Sequence, residues 1–295
     1  MNLQGITIGM GPDGELRYPS NQDRSKNSLV PGAGEFQCYD KNMMSHLKQH
    51  AENLGNPLWG LSGPHDAPTY NQHPILNTFF KEAGSWETPY GDFFLSWYSS
   101  QLISHADKIL SLASSTFSET PVTVSGKLPL IHSWYKSRSH PAEATAGFYN
   151  TINRDGYEEI AKIFLKNSCK MILPGMDLLD EQQPAESFSS PECLLADIRG
   201  ACRNNGVEIC GQNLNISGAP KSFEQIKKNL EGGNGIDLFL YQRMGAEFFS
   251  PKNFPLFSGF VRSLKQLDLD SDDLAVNERE GAVFVPGKNR KLQTV

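Results

Sequence analysis

The feature that most constrains this chain is the rhythm of its second half, where short apolar runs alternate with amphipathic stretches at a spacing that suits parallel strands joined by helices. Residues 121–125, 170–173, 207–211 and 236–241 read as strands, the last almost unbroken in apolar residues. Residues 156–168, 191–204, 221–231 and 254–267 read as helices, the second with Pro191 in its first turn. Strands that carry crossover helices on their faces are buried on both sides, which removes the polar alternation of a half-solvated sheet; the class is therefore α/β with a parallel sheet. Upstream, Ile6, Ile8 and Met10 alternate as a further strand. Residues 93–117 form the strongest helical pattern, with Phe94, Trp97, Leu102, Ala106, Ile109, Leu110 and Ala113 on one stripe. A shorter helix fits residues 40–54, and the rest of 16–90, polar and rich in Gly and Pro, reads as a loop of functional length. Five βα units result, followed from Asp268 by a tail expected to be weakly ordered.

Five units admit an open doubly wound sheet or part of an eight-stranded (β/α)8 TIM barrel, and the pattern alone does not choose. Net charge decides what kind of partner to look for. At -6, with no cluster of Lys and Arg, the 295-residue chain is not built for nucleic acid or an anionic membrane; a neutral ligand fits better. Cys38, Cys169, Cys193, Cys202 and Cys210 are odd in number and scattered, so neither a disulfide framework nor a zinc site is expected, and a reducing compartment is the natural setting. No apolar run approaches membrane-spanning length, and no targeting segment is visible before the first strand.

The candidate chemistry gathers at strand ends. Gly9-Met10-Gly11-Pro12-Asp13-Gly14-Glu15 turns sharply after the first strand and sets a carboxylate just beyond it. Gly-x-Gly here is a weak nucleotide signal, and it fails because Leu16-Arg17-Tyr18-Pro19-Ser20 opens no helix to hold a pyrophosphate. Lys127 and His132 follow the second strand, Gln212 and Asn213 the fourth, and Arg243 the fifth. Barrel enzymes assemble their sites from such ends, which tips the balance toward the barrel.

Gly11 to Ser20, continued by Gly34-Glu35-Phe36-Gln37-Cys38-Tyr39-Asp40, resembles the segment that carries the acid glutamate of the β-amylases, inverting exo-acting glucan hydrolases. Asn21 stands where that family has Tyr. The likeness continues through Phe93-Phe94-Leu95-Ser96-Trp97-Tyr98-Ser99, Ile131-His132-Ser133-Trp134-Tyr135-Lys136 and Ala142 to Asn150, and covers about residues 4–267. It implies a (β/α)8 barrel of which this chain supplies about five units from the fourth strand onward, with residues 268–295 as a polar tail. It also implies Glu15 as general acid, Lys127, His132, Asn213 and Leu214 as substrate contacts, and Arg243 as support for the base segment. No cofactor and no metal is implied. Trp134 reads equally as core or as a platform for a sugar ring.

Three departures stand out. The resemblance places the general base in a Gly-Glu-Asn segment, and this chain reads Gly211-Gln212-Asn213. Inversion needs two carboxyl groups, one to protonate the leaving oxygen and one to activate water, and an amide cannot take that proton near neutral pH. The family's tryptophan pair is Ser133-Trp134 here, and its inner mobile loop, with a substrate-contacting Thr, is Leu173-Pro174-Gly175-Met176-Asp177. These changes resemble the non-catalytic plant members, thought to regulate starch breakdown in plastids. The expectation is a protein that binds α-1,4-glucan or maltodextrin, with other starch-metabolism proteins as further partners; the alternative is an active β-amylase releasing maltose.

Overall fold

The computed structural model describes residues 4–21, 30–215, 220–231, 235–242 and 244–272. Five parallel strands form one sheet: β1 (Gly5–Ile8), β2 (Thr123–Lys127), β3 (Lys170–Leu173), β4 (Ile209–Gln212) and β5 (Ile236–Leu240). Their spatial order is β1-β2-β3-β4-β5, with Ile6 opposite Val124, Gly126 opposite Met171, Ile172 opposite Cys210, and Gly211 opposite Phe239. A doubly wound sheet reverses its strand order at a switch point, whereas here each strand lies beside the next in sequence, as in a barrel wall. The sheet is thus five strands of a (β/α) barrel, with β1 and β5 at its edges among the described residues.

The helices follow the apolar stripes. α1 (Lys41–Asn53) begins where the Asp40 side chain accepts from Asn42 N and Met43 N, at 2.8 and 3.2 Å. α2 (Pro89–Thr116) starts four residues before the expected start at 93, because Thr88 caps Gly91 N and Pro89 occupies the first turn. α3 (Pro141–Ala146), α4 (Glu158–Lys166), α5 (Pro191–Asn205) and α6 (Pro220–Leu230) follow, and α7 (Phe254–Asp272) continues past the expected Leu267. Residues 273–295 of the expected tail lie outside the described residues.

The main core lies between the sheet and α2, α4, α5, α6 and α7, with Leu110, Phe164, Met171, Leu194, Ile198 and Phe223 all buried. Gly126 allows α4 to close on β2: a Cβ there would meet Met10 Cε at 2.7 Å and the Phe164 ring at 3.0 Å. Burial raises the thiols of Cys38 and Cys202 to about 12 and those of Cys169 and Cys210 above their ordinary value, which removes all four from thiolate chemistry near neutral pH. All five cysteines are free.

The loop reading of residues 16–90 needs correction. Phe36, Phe79, Phe80 and Trp86 pack with Phe94, Trp97 and Tyr98 of α2 into a second core, and Phe36 meets Phe94 edge-on with ring centroids 4.9 Å apart. That passage is a packed layer beside the barrel wall, mostly without regular secondary structure. Among the described residues no helix is long and apolar enough to cross a membrane.

Candidate functional site

The turn after β1 is held by Glu15 N donating to Pro12 O at 2.9 Å and Gly14 N to Gly11 O at 3.0 Å. It returns the chain to the sheet, so that Glu15 pairs with Lys127 at the end of β2 and Leu16 N donates to Lys127 O at 2.9 Å. Both carboxylate oxygens of Glu15 are occupied: Oε1 lies 3.1 Å from Lys127 Nζ, and Oε2 accepts from Arg17 Nε at 3.1 Å. The Glu15 and Lys127 side chains are only 14% and 13% exposed, so little water screens the pair. Arg17 also donates to Asp13 at 2.6 Å, and the cluster holds two acids and two bases.

The second cluster lies between β4 and β5. Gln212 ends β4 buried, and its Oε1 accepts from Gln242 Nε2 at 2.8 Å. Asn213, 1% exposed, binds the chain after β5: its Nδ2 donates to Gln242 O at 2.8 Å and its Oδ1 accepts from Gln242 N at 2.6 Å. Leu214 N and Asn215 N donate to the two oxygens of Asp177, at 2.6 and 2.8 Å. Asp177 is buried on the loop after β3, whose Met176 N donates to Gln212 O at 3.0 Å. Gly175 turns this loop at φ 81°, where a Cβ would strike Leu130 at 2.4 Å. The loop that replaces the expected mobile segment is therefore pinned to the end of β4.

His132 sits on the loop after β2, its Nδ1 2.5 Å from the buried Ser189 Oγ. Three backbone bonds join the two loops: Trp134 N to Ser187 O, Lys136 N to Phe188 O and Ser190 N to His132 O. Trp134 is 0% exposed, donates from Nε1 to Pro31 O at 2.8 Å and stacks on Phe188 at 5.9 Å. Of its two readings, the structure selects core over sugar platform. Arg243 lies outside the described residues.

Sequence reading named Glu15, Lys127, His132, Gln212, Asn213 and Leu214, and the structure gathers them at the C-terminal side of the sheet. It pairs Glu15 with Lys127, and sets Gln212, Asn213 and Leu214 in succession beside Gln242 and Asp177. Arg17, Asp177, Ser189 and Gln242 were missed. Arg17 and Asp177 stand inside segments quoted from the sequence; the partners of Asp177, Ser189 and Gln242 come from other loops and strands and are brought to them only by the fold.

A family model described as glycosyl hydrolase family 14 matches residues 2–268. The chain is 61% identical over 274 residues to a protein named inactive beta-amylase 9 from Arabidopsis thaliana, covering 92% of this chain and 50% of that protein. It is 40% identical to a chloroplastic beta-amylase 2 from Oryza sativa subsp. japonica, over 88% of this chain and 48% of that one. It is 36% identical to an inactive beta-amylase 4, chloroplastic, from Arabidopsis thaliana, over 89% and 51%. The chain thus spans about half the length of these curated relatives. The catalytic domain of beta-amylase from Paenibacillus polymyxa superimposes with a TM-score of 0.71 at 24% identity, over 88% of this chain and 63% of that structure, which shows the shared barrel fold.

Proposed function

The chain belongs to glycosyl hydrolase family 14, and from that premise we propose that it is part of a β-amylase-like protein that binds α-1,4-glucan without hydrolysing it. The observation that carries this reading is the side chain at the end of β4. Gln212 is buried and spends its carbonyl oxygen on Gln242, so the place where the resemblance puts a general base holds an amide already engaged. An amide can orient a water or a sugar hydroxyl but cannot accept the proton that hydrolysis releases. Loss of a general base typically costs about 10²–10⁴-fold in rate.

The partner of that base, Glu15, is retained, and both of its oxygens receive cations. That network suits a fixed acceptor and a pair of oriented donors, which is what binding requires. Names of relatives give the reading its context: two are called inactive, and two are called chloroplastic. We extend this to a plastid setting and to a regulatory role in starch breakdown through retained glucan binding.

The test is calorimetry of the intact protein with maltoheptaose. Binding is expected, and Lys127→Ala should weaken it by about 1–3 kcal/mol, because truncation removes a charge-assisted donor and leaves Glu15 with one partner. Binding that is indifferent to Lys127→Ala would contradict the assignment of this site.

A further inference from the structure

A second cleft lies away from the β-strand ends, between α5 and the turn at residues 151–154. It comprises two cavities, of about 590 and 440 Å³, that meet at Thr151, Asn153 and Arg154. Behind its wall lies a buried polar network that joins α3 to the turn before α4, where Asn150 Oδ1 also accepts from Gly156 N at 3.2 Å. His140, Glu143, Asn150 and Tyr157 are all more than nine-tenths buried. Glu143 Oε1 accepts from Tyr157 OH at 2.6 Å and from Asn150 Nδ2 at 3.2 Å. Glu143 Oε2 lies 3.1 Å from His140 Nδ1, yet no donor is aligned on it. Asn150 Nδ2 stands 3.2 Å from the same His140 Nδ1. Nδ1 is thus committed inward, and among the described residues Nε2 of a ring that lines the cleft has no hydrogen-bond partner.

Two further features shape the cleft. His140 adopts φ 43° and ψ 57°, a left-handed conformation uncommon for a non-glycine residue, which fixes where its ring stands. Gly200 sits in the interior of α5 on the cleft wall, where a Cβ would meet nothing within 4 Å. Glycine is less favourable than alanine in a helix interior, and no close packing at that face calls for it. The space it leaves belongs to the cleft.

The lining sets the class of ligand. Asp155, Asp197 and Arg154 mix signs, so the cleft favours neither a phosphate nor a cation, and no metal-competent group of His, Cys, Asp and Glu occurs among the described residues. Tyr135 lies against His140 with ring centroids 4.5 Å apart and planes tilted by 37°, Ile152 is 58% exposed at the rim, and Arg154 covers the Tyr149 ring at 4.2 Å in the adjoining cavity. Apolar side-chain surface beside amide and imidazole hydrogen-bonding groups suits the faces and hydroxyls of a sugar chain.

We propose that this cleft is a second carbohydrate site that takes a neutral oligosaccharide, with His140 Nε2 and the Asn153 amide binding hydroxyls and Gly200 leaving room for a ring. Only the choice of an α-1,4-linked probe rests on the reading of the strand-end site. The test is the stoichiometry of maltoheptaose binding to the intact protein, measured by calorimetry, for the wild type, Gly200→Met and Lys127→Ala. Methionine favours the helix, so Gly200→Met keeps α5 while filling the cleft. Two ligands per chain are expected for the wild type, with one lost in Gly200→Met. Asn153→Ala, at an exposed turn, should weaken that same site at least tenfold, and the NMR signals of the His140 ring should shift on titration in the wild type but not in Gly200→Met. A stoichiometry unchanged by Gly200→Met, or an absence of maltoheptaose binding in the wild type, overturns the proposal. If Lys127→Ala leaves the affinity of both ligands unchanged while Gly200→Met removes one, the strand-end assignment fails and the second site stands.

Discussion

Glu15 and Gln212 are each engaged from a neighbouring strand: Gln242 reaches Gln212 across the β4-β5 register and Lys127 reaches Glu15 across β1-β2. The structure adds a constraint on restoring chemistry. A glutamate at 212 would still face Gln242 Nε2, and the adjoining loop would still carry Pro174, which has no hydroxyl and fixes its own φ. Gln212→Glu in the intact protein is therefore expected to leave maltose release well below the 1–10³ per second of ordinary enzymes, since misplacement by ~1 Å can cost on the order of 10²-fold. Turnover in the ordinary range from this one substitution, followed by maltose chromatography, would show that only the base was missing.

At the scale of elements, the strands and long helices were legible because each is a short apolar run or a helical stripe. The layer at residues 30–88 was not, since its buried aromatics obey neither period and meet only in three dimensions, as Phe36 does with Phe79, Phe94 and Tyr98. The sequence reads the β3-α5 loop as a replacement for a mobile segment; in the structure Asp177 ties it to the chain after β4. Asp177→Asn leaves one acceptor oxygen where two backbone N–H groups now bind, so the loss is expected to be about 1–3 kcal/mol. Hydrogen exchange at Leu214 or Asn215 should accelerate, and unchanged protection at both would refute the clamp.

The helix layer also carries a pH dependence. The Lys166 and Asn167 side chains hold the Asp107 carboxyl below its ordinary value, and Asn204 and Asn205 do the same for Glu158. These contacts tie α2 to the end of α4 and the start of α4 to the end of α5. A carboxyl lowered in the folded state stabilises above its unfolded value, near 4, and that contribution disappears as pH falls through the folded value. Asp107→Asn should therefore be less stable than the wild type at pH 7, with the difference shrinking below about pH 4. Urea melts at pH 7 and pH 3 check this, and a difference that grows on acidification contradicts it.

Over the whole molecule, the five consecutive parallel strands, the site residues at their C-terminal ends and the membership in glycosyl hydrolase family 14 converge on a β-amylase-like barrel wall. β5 forms one edge, with Leu238 and Leu240 at 59% and 49% exposure, so apolar surface there has no partner among the described residues. Function is accordingly a property of the intact protein. The central claim is that such a protein holds glucan in a site that has kept its acid and its cations and lost its base. The most direct measurement is maltose release from maltoheptaose at concentrations that saturate binding by calorimetry. The account predicts saturable binding with release at least 10²-fold below ordinary turnover, for want of a base; release at 1–10³ per second, abolished by Glu15→Gln, would mean that the protein is a working β-amylase.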